Sequence, residues 1–205
     1  MIKALNIAIG AVIAACVIVG GALAYSYLRP GSEASSRLDY DLQKWQAQVN
    51  EQPDNALAHA NLGAAYLQMG DTEAAINELK FAVDLEPGGF TYIYNLGLAY
   101  EKAGDGDTAL NSYIQALGLY PKGDKYPIAF QIAQTYFDRG DLAAAKDYAQ
   151  QSIADNGQIW NAHYLLGQIY EREGDQAKAR EEYQAALKFN PTDPQLQEAV
   201  KRVSA

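Results

Sequence analysis

The chain is poor in the side chains that most chemistry needs. Its only cysteine, Cys16, lies inside an apolar run, so the remainder holds no disulfide and no thiolate metal site. The redox compartment stays undecided. There are 2 histidines, His59 and His163, too far apart in sequence to suggest a shared site. Basic residues are outnumbered, 16 against 25 acidic, for a net charge of −9. Lys3 is the only charge before Arg29, so the rest is one unit more acidic still. A binder of phosphate backbones needs a concentrated basic surface, which excludes nucleic acid as the expected partner. An acidic surface is compatible with a cationic partner without selecting one. No phosphate loop is present, since Gly104–Asp107 lacks the Lys-Ser/Thr that would follow it. Nothing in the spacing of Ser, Asp and His assembles a triad. The pair Glu181-Glu182 reads as a solvated helix face. No catalytic residue, metal ligand or cofactor is expected.

Charge is also missing from Leu5 to Leu28. As a helix this run reaches about 36 Å, enough to cross a hydrocarbon core of about 30 Å. Tyr25 and Tyr27 stand where an interfacial aromatic belt would stand, and Arg29-Pro30 ends the segment. The sequence therefore predicts a transmembrane signal-anchor helix over residues 1–29. Two other readings compete. Ala22-Leu23-Ala24 fits a signal-peptide cleavage pattern. Ile13–Cys16 resembles a lipobox, although the residues after Cys16 stay apolar. The charge bias across the segment is nearly balanced, and the short basic head favours an extracytoplasmic domain (periplasmic or extracellular). Cys16, Gly20 and Ala24 recur every four residues, a stripe that would let a transmembrane helix partner approach closely. Residues 30–36, PGSEASS, read as a flexible linker.

The rest of the chain repeats itself. Asn61–Asp71 reads NLGAAYLQMGD, Asn95–Asp105 reads NLGLAYEKAGD, Gln131–Asp141 reads QIAQTYFDRGD and Leu165–Asp175 reads LLGQIYEREGD. The offsets of 34, 36 and 34 residues signal stacked structural units. Each unit divides into two helices. In the second, Ile93, Leu96, Gly97 and Tyr100 mark one helix face, Gly104-Asp105 breaks it, and Asp105 or Asp107 caps the next helix. Ala109, Tyr113, Ala116 and Leu117 then mark a second face, stopped by Pro121. Gly63, Gly97, Ala133 and Gly167 leave room for a close helix partner, as do Ala75, Ala109, Ala145 and Ala179.

This spacing resembles the tetratricopeptide repeat, whose 34 positions carry Leu-Gly, Tyr, Ala, an aromatic, Ala and Pro in fixed places. The resemblance implies an all-α fold, a right-handed α-solenoid of helix-turn-helix repeats. The units are 56–89, 90–123, 126–159 and 160–193. Residues 37–55 resemble a degenerate capping helix and 194–205 a closing one, since each end of a stack must hide an open face. The third unit departs most. It has Ala149 for the large ring, Ser152 for Ala and Gly157 for Pro, and two extra residues precede it.

The resemblance also implies a concave groove lined by first helices. Family groove positions transfer here to Ala60, Tyr94, Phe130 and Tyr164, to Ala64, Leu98, Gln134 and Gln168, and to Leu67, Glu101, Phe137 and Glu171. Asn61, Asn95 and Gln131 fall where some relatives hold the backbone of an extended peptide; an amide can donate and accept at once. Relatives that clamp a terminal carboxylate use basic residues where Ala60, Pro127 and Gln131 stand, so that role is not expected. The expectation is a non-catalytic, membrane-anchored adaptor that binds a protein or extended peptide and recruits it to a membrane complex. The alternative is a permanent subunit of a larger membrane assembly (respiratory, secretion or pilus machinery), held through the transmembrane helix and the convex face.

Overall fold

A computed structural model of the chain describes residues 32–121 and 125–204. The predicted transmembrane segment, with Cys16, Gly20 and Ala24, lies outside these residues. Among the described residues, no helix is long and apolar enough to cross a membrane. The chain divides into two units, Met1–Pro53 and Asp54–Ala205. The described part of the first is one helix, α1 (Ser32–Glu51). It begins inside the stretch read as a linker. Glu33 and Ala34 are good helix formers, so the composition that suggested flexibility also permits a first turn.

The second unit holds nine helices among the described residues. They are α2 (Ala56–Met69), α3 (Thr72–Leu85), α4 (Phe90–Lys102), α5 (Gly106–Leu119), α6 (Tyr126–Asp138), α7 (Leu142–Asp155), α8 (Trp160–Glu173), α9 (Gln176–Phe189) and α10 (Pro194–Arg202). Eight of them form four hairpins, α2–α3 to α8–α9, and α10 follows. No strand occurs among the described residues. Every hairpin turns in the same way. Gly70, Gly104, Gly140 and Gly174 take φ of 82–86°, a left-handed conformation that glycine enters without steric cost. The aspartate after each then closes the next helix. Asp71, Asp105, Asp141 and Asp175 accept the backbone N–H three residues on. Asp105, not Asp107, is the cap of α5. Hydrogen bonds from Thr108 hold the Asp105 carboxyl below its ordinary range, and Lys178 does the same for Asp175.

Within a hairpin the helices approach at one small residue. A Cβ on Gly63 would lie 2.7 Å from Leu79, on Gly97 2.6 Å from the Tyr113 ring, and on Gly167 2.5 Å from the Tyr183 ring. In the third hairpin Ala133 faces Ala149, and both are fully buried. Small and large residues thus trade volume across the same point. Between hairpins the core is continuous. Leu79 and Ala82 pack with Leu96 and Ala99; Tyr113 and Ala116 with Ile128 and Ile132; Ala145 and Ala149 with Leu165 and Ile169; Tyr183 with Ala199 and Val203. The last group fixes α10 on the end of the stack. Asp193 caps it and Pro194 opens it. Ser152, buried where the pattern calls for alanine, donates its hydroxyl to the Tyr126 carbonyl at 3.1 Å and so satisfies itself.

Candidate functional site

The first helices of the hairpins lie beside one another. α2 touches α4 and α6 touches α8, in addition to their own partners. Their shared surface carries the residues transferred from the repeat pattern. Tyr94, Phe130 and Tyr164 are each half-buried on it. Tyr94 leans on Tyr113 with ring centroids 5.5 Å apart, and Tyr164 leans on Tyr183 at 5.6 Å. One side of each ring packs and the other is left to solvent. Burial and then the nearby Glu101 push the Tyr94 hydroxyl above its ordinary value. Ala64, Leu98 and Gln168 are also half-buried on this surface.

The amides divide into two kinds. Asn61 and Asn95 are half-buried, and neither forms a side-chain hydrogen bond among the described residues. Gln131 and Gln134 are engaged: Gln131 Nε2 donates to Glu101 at 2.7 Å, and Gln134 Nε2 donates to Asp138 at 3.1 Å. Phe137 also differs from the expectation of open apolar area. It is buried, belongs to the core between the third and fourth hairpins, and carries the Arg172 guanidinium 3.8 Å above its ring.

A set of polar contacts on the same surface was not foreseen. Tyr113 Oη donates to Glu101 at 2.5 Å, and Tyr183 Oη donates to Glu171 at 2.7 Å. Burial first, and the carboxylate next, raise both tyrosines well above the ordinary phenol value. Glu171 also receives Arg202 of α10 through Nε at 2.7 Å and Nη2 at 2.9 Å, which lowers its pKa. Lys102 Nζ donates to the Leu67 carbonyl at 2.6 Å, and Arg172 Nη1 to the Phe137 carbonyl at 3.2 Å. Each cation thereby closes the C-terminal end of the preceding first helix, where carbonyls lack helical partners. The signal was present in the sequence: glutamate then a base at 101–102 and 171–172, with tyrosine twelve residues later. It is invisible until helix pairing brings the tyrosine back.

The histidines prove to be packing residues. His59 Nδ1 lies 2.6 Å from Glu78, and His163 Nδ1 lies 2.7 Å from Glu182, the same nineteen-residue step in two hairpins. Glu182 is therefore not a freely solvated acid, in contrast with the reading of Glu181-Glu182. Among the described residues, no cluster of His, Cys, Asp and Glu is placed to hold a metal ion.

Stacked helix hairpins with their first helices aligned define an α-solenoid, a class whose inner surface binds other chains. The sequence profile described as "Tetratricopeptide repeat" matches residues 61–124 and 130–194, well over half of the chain. The chain belongs to the tetratricopeptide repeat family. Comparison with curated proteins returns no match. Solved structures share the fold at low identity. The structure reported as pilF of Pseudomonas aeruginosa superposes with a TM-score of 0.75 at 17% identity, over 88% of this chain and 82% of that one. MamA superposes at 0.69 and 21% identity, over 80% of this chain and 96% of that one. YrrB, described as having an unusual peptide-binding site, superposes at 0.66 and 16% identity, over 78% and 81%.

Proposed function

We propose that this chain is a membrane-anchored, non-catalytic adaptor. Its first helices bind an extended polypeptide and bring it to a membrane complex on the extracytoplasmic side. The observation that carries the binding part is the pair Asn61 and Asn95. They occupy the same repeat position on adjacent helices, are within reach of solvent, and make no side-chain hydrogen bond among the described residues. Such amides can pair with the N–H and C=O of an incoming backbone. Tyr94, Phe130 and Tyr164 add half-open aromatic area beside them. The peptide-binding site named for YrrB lends support by analogy of fold. The anchoring rests on the uncharged run Leu5–Leu28 alone, and the side of the membrane on the short basic head before it.

The test is crosslinking in native membranes with identification of the captured chains, repeated with Asn61→Ala/Asn95→Ala and with Tyr94→Ala/Phe130→Ala/Tyr164→Ala. Capture should fall at least tenfold while the helical circular-dichroism signal is kept. Undiminished capture removes the groove from the proposal.

A second reading has one observation in its favour. Phe81, Ile114 and Phe189, on second helices, remain 46%, 39% and 44% exposed. A permanent subunit of a membrane assembly would cover such residues. Deleting residues 1–28 separates the two readings: an adaptor domain keeps its ligand in solution, whereas a permanent subunit loses its complex.

A further inference from the structure

Two hollows on the inner surface are copies of each other, and only one of them is lined by an arginine of the chain that pairs with its glutamate. The first, about 410 Å³, is lined by Leu67, Gln68, Leu98, Glu101 and Lys102. The second, about 300 Å³, is lined by Phe137, Gln168, Glu171, Arg172 and Arg202. Four of the linings correspond one to one at a step of two repeats: Leu67 with Phe137, Leu98 with Gln168, Glu101 with Glu171, Lys102 with Arg172. In both, the base is directed to a main-chain carbonyl and the glutamate is anchored by a tyrosine hydroxyl. The carboxylates are therefore held in matching orientations, and neither forms an ion pair with the base beside it in sequence.

They differ in what reaches them. Glu171 accepts two bonds from the Arg202 guanidinium. Glu101 accepts only neutral donors, Tyr113 and Gln131, both on Oε2, and forms no ion pair among the described residues. In the third repeat the place of Arg202 is taken by Gln134, which turns to Asp138 instead. The chain thus displays at Glu171 the side chain that suits this hollow, and shows an uncompensated carboxylate at Glu101.

We infer that Glu101 is the recognition point for an arginine side chain of the bound peptide. The inference rests on the groove reading above and names the chemistry of its ligand. The guanidinium fork matches a carboxylate through two parallel bonds, as Arg202 does, and Oε1 of Glu101 accepts none from the described residues. The half-buried Leu67 and Leu98 take the methylene stem. The net negative charge of the chain favours a cationic ligand during encounter. A lysine would place a point charge there without the fork and bind less well.

The experiment uses the full chain in detergent and two fluorescein-labelled peptides read by anisotropy, Ala-Leu-Arg-Leu-Ala and the same peptide with citrulline, the neutral isostere of arginine. The wild type should prefer the arginine peptide about tenfold, since a charge-assisted pair outweighs the neutral one that citrulline can form. Glu101→Gln should erase that preference without changing the thermal melt, since the amide oxygen still accepts from Tyr113. Glu171→Gln should leave the preference intact. Arg202→Ala should uncover Glu171 and raise the stoichiometry from one arginine peptide to two. Equal binding of the two peptides, binding of neither, or a preference that survives Glu101→Gln each overturns the inference. The groove reading fails separately: if Tyr94→Ala leaves both peptides bound, the aromatic surface is not the binding surface, whatever the arginine preference.

Discussion

The second and fourth hairpins are nearly one design, and the third, set between them, is another. In the second and fourth, a glycine on the first helix faces a tyrosine ring, and the tyrosine hydroxyl holds a glutamate of that first helix. In the third, Ala133 faces Ala149, and the glutamate position is Phe137. The neighbouring base is replaced as well. Lys102 and Arg172 bond back to the preceding hairpin, whereas Asp138 stands at that position in the third. That joint is held instead by Gln131 on Glu101 and by an exposed Arg139–Asp107 pair. The apolar core crosses all the joints alike. The lesson is that core continuity and polar attachment are set independently in such a stack.

The largest test of this comparison is to exchange the volume rule. Ala149→Tyr should cost about 2–3 kcal/mol by overpacking against Ala133. Adding Ala133→Gly, which recreates the pair found in the neighbours, should recover at least about 1 kcal/mol, read as a coupling energy from denaturant unfolding. Without that recovery, the glycine–tyrosine complementarity is not what specifies the hairpin. Next in size, Gly97→Ala and Gly167→Ala should each cost about 1–3 kcal/mol, because the new methyl meets a buried ring. Ala133→Gly alone should cost about 1 kcal/mol through helix propensity.

Smaller effects follow from titration. Tyr113 and Tyr183 have raised values in the folded state, so their contribution is complete below pH about 10 and declines above it. Alkaline melts should therefore show stability falling from about pH 10, and less steeply in Tyr113→Phe/Tyr183→Phe. Glu171 has a lowered value, so its contribution is present above the ordinary carboxylate range and is lost as pH falls through the folded value. Arg202→Ala should flatten that acid limb. A mutant with an unchanged acid limb would show that Arg202 is not what lowers the value. Smallest of all, Asp138→Arg would supply the missing attachment at the middle joint. It should add no more than about 0.5 kcal/mol, since exposed pairs contribute little, but slow amide exchange near Leu98–Lys102.

The turns of this fold were legible from the sequence, whereas the start of α1 inside the stretch read as a linker was not. The Gly-Asp turns announce themselves because a left-handed residue and a side-chain cap each need only their immediate neighbours. The groove assignments rest only on the repeat pattern, which assigns a direction to each position without saying what else competes for the side chain. Phe137 shows the difference: its position points into the groove, but Arg172 from the next hairpin lies on it. The Tyr113–Glu101 and His163–Glu182 contacts escaped because they join residues twelve and nineteen apart across a turn, and helix periodicity says nothing about that register. Ser152, a departure from the pattern's alanine, is accounted for only by the Tyr126 carbonyl that accepts its hydroxyl, a partner 26 residues away.

The short helix α10 has a consequence for particle size. A pile of like hairpins has no built-in stopping point, because the face each presents fits the back of another copy, and such head-to-tail contacts run on into filaments. Leu196, Ala199 and Val203 seat α10 on the last hairpin, while Gln195, Gln197, Glu198 and Lys201 face water. The amphipathic lid makes that end incompatible with a further copy. Removing residues 194–205 should therefore turn a discrete species into a concentration-dependent ladder of oligomers on gel filtration.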